Sequence, residues 1–194
     1  MSAGLFFLVA GPAGVGKSTL LRRLVAEEPG IVKAVSVTTR APRSGEIDGR
    51  EYYFWDDARF LEAIGKGQFL EHAIVHGKAR YGTLAQFVFG ELDKGNDVVK
   101  DIDVQGVDQI VKLPAFKGRV VSIFVMPPSR EELLERLKGR ASENDESMAA
   151  RLRTAENELT RASDFDYVVV NDDLDKAVAE LKSIRRAAHA QNQK

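Results

Sequence analysis

Residues 5 to 18 read Leu5-Phe6-Phe7-Leu8-Val9-Ala10-Gly11-Pro12-Ala13-Gly14-Val15-Gly16-Lys17-Ser18. Six apolar residues run into a complete G-x-x-x-x-G-K-S pattern, and a helical pattern follows from Ser18 to Glu28. A short buried strand, a glycine loop and a helix start together make an anion cradle. Glycines let successive backbone N–H groups turn inward, and the helix N-terminus adds partial positive charge. The ligand implied is a nucleoside triphosphate, held by Gly11, Pro12, Ala13, Gly14, Val15, Gly16, Lys17, Ser18 and Thr19. Lys17 is expected to reach the outer phosphates and Ser18 to ligate Mg2+.

Outward from the loop, the chain has 194 residues, enough for one well-buried α/β domain with small insertions. Its 28 basic and 29 acidic residues offer no global attraction to nucleic acid or anionic membrane, so anion binding must be local. The absence of cysteine excludes disulfides, thiolate metal sites and thiol catalysis. The apolar run at Leu5 lacks a basic flank and is too short for a signal peptide or membrane span. These features predict a soluble cytoplasmic protein with no nucleic-acid or membrane partner, either a monomer or a homodimer.

Further buried strands are expected at Asp97 to Ile102, Arg119 to Met126 and Tyr167 to Val170, with helical patterns at Ser129 to Lys138 and Leu174 to Ala188. Alternation of strand and helix predicts a doubly wound parallel sheet of the phosphate-loop NTPase class. Residues 33 to 55 break the rhythm. Val35, Val37, Ile47, Tyr53 and Phe54 alternate with polar residues, and Pro42, Gly45 and Gly49 mark turns, as in a strand-rich insertion. Gly139 to Ser163 is polar and helix-prone, as expected of a solvated arm. The expected organisation is a single domain: a core of residues 1–32, 84–128 and 164–194, an insertion of 33–83 and a helical lid of 129–163.

The insertion opens Ser36-Val37-Thr38-Thr39-Arg40-Ala41-Pro42-Arg43-Ser44-Gly45-Glu46. Arg40 and Arg43 flank a proline that restricts the backbone before it, so two guanidinium forks can face one anion. A phosphate is the best geometric match. Asp101 ends a buried strand, where a carboxylate is costly without a cation. It is expected either to serve hydrated Mg2+ or to cap the next helix, and the preceding loop favours the metal.

These segments, in order with Phe69-Leu70-Glu71-His72-Ala73, Tyr81-Gly82-Thr83, Asp101-Ile102-Asp103-Val104-Gln105-Gly106, Phe124-Val125-Met126-Pro127-Pro128-Ser129 and Val170-Asn171-Asp172-Asp173, resemble the guanylate kinases across nearly the whole chain. The resemblance implies transfer of the terminal phosphoryl group of ATP to GMP with Mg2+ as cofactor, ATP and GMP being the partners. By position, Arg40, Arg43, Tyr52 and Tyr81 would hold the GMP phosphate, with Glu46 in the same segment. Ser36, Glu71, Thr83 and Asp103 would read guanine. The base chemistry agrees: guanine sets a ring N–H beside an exocyclic amine, two parallel donors that one carboxylate can accept. Hydroxyls of Ser36 and Thr83 would serve the guanine carbonyl and ring nitrogen.

The resemblance also makes Arg136, Arg140 and Arg151 lid arginines. In-line phosphoryl transfer needs positioning and cations around the moving group rather than a general base. Lys17, Arg40, Arg140, Arg151 and Asp101 are therefore the expected catalytic set, with Ser18 and, through water, Asp101 on the metal. Arg136 and Asn171 would contact the ATP. Two departures stand out: Gly77 to Thr83 carries one extra residue around Lys78-Ala79-Arg80, and Ala141-Ser142 follows Arg140 where the family has glycine and threonine. Two other readings stay open, an inactive interaction module of the same fold and a kinase for another acceptor. Lys17, Ser18, Arg140 and Arg151 weigh against the first, and Glu71 against the second.

Overall fold

Apolar runs without alternation belong in strands buried on both faces, and β1 (Phe6–Ala10) is buried at every residue. The computed structural model describes residues 4–75, 79–138 and 145–192. After β1 come α1 (Lys17–Glu27), β2 (Ile31–Lys33), β3 (Ser36–Thr38), β4 (Tyr52–Phe54), α2 (Asp57–Gly65), β5 (Phe69–Val75), β6 (Ala79–Leu84) and α3 (Ala85–Asp93). The chain continues through β7 (Asp97–Asp101), α4 (Val104–Ile110), β8 (Val120–Met126), α5 (Arg130–Lys138), α6 (Asp145–Leu159), β9 (Tyr167–Val170) and α7 (Leu174–Asn192).

Five strands form a parallel sheet in the order β2-β7-β1-β8-β9. Alternate residues of β1 feed two cores. Phe7 and Val9 pack with Leu20, Leu24, Val178 and Leu181 of α1 and α7. Phe6, Leu8 and Ala10 pack with Val88, Leu92, Val107 and Phe116 on the opposite face. Helices thus cover both faces, as the strand–helix alternation predicts. β2 escaped the sequence reading because three residues establish no period. A buried carboxylate ties the last helix down: Asp97 Oδ1 accepts from Leu5 N (2.8 Å), and its Oδ2 lies 2.6 Å from Arg185 Nε and 2.8 Å from His189 Nε2.

A second sheet, β4-β3-β6-β5, stands apart. β3 pairs parallel with β4 and antiparallel with β6, and β6 pairs antiparallel with β5. Helix α2, capped by Asp56 accepting from Arg59 N at 2.7 Å, stacks Phe60 on Phe69 with centroids 4.5 Å apart. The expected solvated arm is less solvated than its composition implies. Ala155 of α6 is buried with Leu133 and Leu137 of α5, and Leu152 and Leu159 pack beside them. Leu152, Ala155 and Leu159 share one face at helical spacing, a stripe concealed by its small central residue. Among the described residues, no helix is long and apolar enough to cross a membrane.

Candidate active site

The loop between β1 and α1 owes its path to glycine. Gly11 has φ +137°, and a Cβ there would lie 2.3 Å from Val125 O. Gly16 has φ +100°, and a Cβ would meet Asn171 Nδ2 at 2.4 Å. Both backbones are strained for an L side chain, and at Gly11 main-chain atoms of β8 also close the space. Lys17 Nζ donates to Gly11 O (2.6 Å) and Pro12 O (3.1 Å) and lies 3.9 Å from Asp101 Oδ1. Ser18 Oγ donates to Asp101 Oδ2 at 3.1 Å. The register of β1 against β7 sets Asp101 beside Val9, bringing that carboxylate to the mouth of the loop.

Asn171 and Arg136 hold the loop from behind. Asn171 Nδ2 donates to Val15 O at 2.7 Å. Arg136 donates to Val15 O (3.3 Å) and Asn171 O (3.1 Å), and is paired with Glu132 one helical turn back. The Asn171 amide nitrogen and the Arg136 guanidinium are therefore both engaged with Val15 O of the loop.

On the second sheet, Arg40, Tyr52 and Tyr81 converge. Arg40 Nε donates to Tyr81 Oη at 3.3 Å, and its guanidinium lies 5.4 Å from the centre of the Tyr52 ring. Tyr52 and Tyr81 meet edge to face with centroids 5.8 Å apart. Ala79 to Thr83 pair in unbroken register with Glu71 to Val75, which sets Tyr81 opposite Ala73, and the register shifts only beyond them, between Phe69 and Glu71. Glu46 accepts from Arg40 Nη2 (2.9 Å) and from the Arg43 backbone N (2.7 Å). That bond raises the Arg40 pKa, and the same bond lowers that of Glu46. Burial raises the Tyr52 phenol, keeping it a neutral O–H donor. The Arg43 residue is exposed at the rim. Arg80 turns elsewhere, its Nε 3.2 Å from Asp57 Oδ1, and Lys78 lies outside the described residues.

Deeper in the same sheet, Glu71 is 7% and Thr83 1% exposed. Thr83 Oγ1 donates to Glu71 Oε1 at 2.5 Å. Burial raises the Glu71 pKa, and the positive charge of Lys100 and the Thr83 bond pull the other way. Lys100, which the sequence reading passed over as part of a strand, donates to Ser36 Oγ. Helix α4 closes this cluster, for a Cβ on Gly106 would lie 3.3 Å from Glu71 Oε2. Asp103 caps that helix, its Oδ1 accepting from Gly106 N at 2.7 Å. The capping carboxylate weighed for Asp101 is thus Asp103, while Asp101 serves Ser18 and Lys17.

A residue missed in the sequence is Glu158 of α6. Burial raises its pKa to about 6, with the Lys17 charge opposing and the Asp103 charge adding to the shift. Its isolated place in a polar helix carried no signal. Arg140 lies outside the described residues, and of Arg151 only the backbone, in α6, is described.

A parallel sheet with a strand–glycine loop–helix at its centre, a Lys-Ser pair facing a strand-end aspartate and a separate arginine–tyrosine cluster define a phosphate-loop nucleotide-binding protein with a second anion site. The family model for guanylate kinase matches residues 5–188. Guanylate kinase of Rhodospirillum rubrum is 45% identical over 95% of this chain and 83% of its own length. That of Vibrio cholerae is 43% identical over the full chain and 93% of its own. The crystal structure of guanylate kinase from Anaplasma phagocytophilum superposes with a TM-score of 0.76 at 36% identity, covering 96% of this chain and 87% of that one. The chain belongs to the guanylate kinase family.

Proposed function

We propose that the protein transfers the terminal phosphoryl group of ATP to the phosphate of GMP, giving ADP and GDP. The observation that carries the acceptor is Glu71, a carboxylate buried on a sheet separate from the phosphate loop and held by Thr83. Both its oxygens can accept from the paired N–H donors of guanine, whereas adenine would leave a buried acceptor unsatisfied at a cost of about 1–3 kcal/mol.

The backbone N–H groups of Gly11 to Thr19 cradle the ATP phosphates. Lys17 exchanges its bonds to Gly11 O and Pro12 O for phosphate oxygens and accompanies the transferring group. Ser18 and Asp101 offer hard oxygen ligands 3.1 Å apart, which suit Mg2+ held directly by the hydroxyl and through water by the carboxylate. When bound, the ion neutralises charge on the outer phosphates. Arg40, Tyr52 and Tyr81 hold the GMP phosphate, with Arg43 at the rim and Glu46 keeping the Arg40 fork in place. Ser36, Glu71, Thr83 and Asp103 read the base, Asp103 also capping α4 through Oδ1. Asn171 and Arg136 act on ATP through the loop they brace. Arg140 and Arg151 close over the triphosphate from the lid, excluding water from the phosphoryl group. A cytoplasmic site of action suits the cysteine-free chain.

ADP release measured with ATP, Mg2+ and each of GMP, AMP, CMP and UMP tests this reading. Turnover with GMP well above the other three is expected, and none with GMP would refute it.

A further inference from the structure

Lys100 takes no part in the chemistry above, yet its position is an expensive one. It lies on β7 opposite Leu8 of β1 and is 3% exposed. A buried ammonium forfeits its hydration unless partners replace it. The groups around it come from four elements: Ser36 on β3, Glu71 on β5, Asp101 on β7 itself and Asp103 at the start of α4, with Lys33 of β2 an opposing cation. Burial lowers its pKa, and the three carboxylates oppose that change.

The hydrogen-bond directions in this cluster follow from the donor inventory. An ammonium carries three N–H donors and no acceptor. Ser36 Oγ must therefore accept from Lys100, which turns the Ser36 proton away from the ammonium. Guanine presents a 6-carbonyl acceptor next to its N–H donors, whereas adenine presents a 6-amino donor in the same place. A hydroxyl oxygen has two lone pairs; with one taken by a cation its proton donates more strongly to a carbonyl, and the ammonium beside it repels the positive end of an amine N–H that would approach the other. The same cation faces Glu71 and favours its ionised form, the form that accepts two N–H groups.

We propose that Lys100 is a positioning residue for acceptor selectivity: by donating to Ser36 it commits that hydroxyl to the 6-carbonyl of guanine and sets it against the 6-amino group of adenine. The proposal rests on the GMP reading given above. Lys100 acts through Ser36 and Glu71 and does not itself touch the base.

Lys100→Met is the direct test, since apolar replacement of a buried charge is commonly tolerated by a fold. The ratio of kcat/KM for GMP to that for AMP is expected to fall about ten- to a hundredfold, the scale of one charge-assisted hydrogen bond. The change should reside in the KM for GMP, leaving the KM for ATP unaltered. In a Ser36→Ala background the same substitution should shift the ratio by less than about twofold, because residues acting through one another are not additive. The acid limb of kcat/KM for GMP should also move to higher pH. Glu71 would lose the cation that lowers its pKa, while Thr83, His72 and Asp103 around it remain. A folded Lys100→Met protein with unchanged GMP-to-AMP ratio overturns the proposal, as does a loss of equal size in the Ser36→Ala background.

Should Lys100→Met not fold, NMR of wild type and Ser36→Ala labelled with 13C-lysine decides instead. A lysine Cε signal that moves on Ser36→Ala and again on GMP addition is expected, and its absence overturns the proposal. No GMP turnover by the wild type would instead refute the underlying reading, and this proposal with it.

Discussion

Thr83 and Glu71 face each other across β6 and β5 and share a 2.5 Å hydrogen bond from hydroxyl to carboxylate. The direction of that bond matters. An ionised carboxylate only accepts, so the Thr83 proton is spent on Glu71 and the Thr83 lone pairs remain for a donor such as the exocyclic amine of guanine. With its proton on Glu71, Thr83 can meet the base only as an acceptor while that bond lasts.

Thr83→Val removes one of the groups that hold Glu71 ionised. The Glu71 pKa, already raised by burial, rises further. Because GMP needs the carboxylate, the acid limb of kcat/KM for GMP should shift to higher pH and the KM for GMP should rise about tenfold. The limb for ATP should stay in place, and steady-state rates over pH 5 to about 8 distinguish the two.

Lys17→Met should cut single-turnover phosphoryl transfer by at least about a hundredfold, the scale of losing one cationic stabiliser of the moving charge. GMP binding measured by calorimetry should be preserved, since the acceptor cluster lies on the other sheet. A transfer rate within tenfold of wild type would sink the role given to Lys17.

Asn171→Ala takes away the 2.7 Å bond to Val15 O but leaves the 3.3 Å contact from Arg136. The carbonyl is therefore not orphaned, and thermal unfolding should report a loss of only about 1 kcal/mol. ATP affinity should fall further than stability implies, because the brace sets the loop that must fit the phosphates. Weakened GMP binding with intact ATP binding would contradict this.

Glu158 supplies a pH dependence of stability. Its folded pKa, about 6, lies above its ordinary value of 4.5, because burial penalises the charged form. Between those values the unfolded chain gives up its proton first. The stabilisation is therefore full below about pH 4.5 and is lost as pH rises through about 6. Because Glu158 is only half-buried and solvent screens its charge, the contribution is at most on the order of 1 kcal/mol. Glu158→Gln should flatten that part of the denaturation profile, and an unaltered slope would show that another group is responsible.

The elements most legible in the chain were those whose signal is local. β1 and β8 are apolar runs buried along most of their length, which is the local mark of a central parallel strand, while β7 shows it only through Val98 and Val99 and β9 through Val168 to Val170. β2 is too short to show a period, and the lid's small core turns on Ala155, a residue too small to stand out among charges. Asp101 and Asp103 are two residues apart with the same side chain, and composition cannot say which caps a helix. Strand register decides it, by ending β7 at Asp101 and starting α4 after Asp103.

By itself the sequence determined the phosphate loop, because all its parts are contiguous: the glycines, Lys17 and Ser18 act through backbone that runs directly between them. It also determined the doubly wound class through its alternation of apolar runs and helical periods. Only the tertiary structure decided how the acceptor cluster is wired. Arg40 reaches Tyr81 across 41 residues of chain, and Lys100 reaches Ser36 across 64. Whether a buried lysine is an error or a partner depends on which strands meet, and that is set by packing and register rather than by any local pattern.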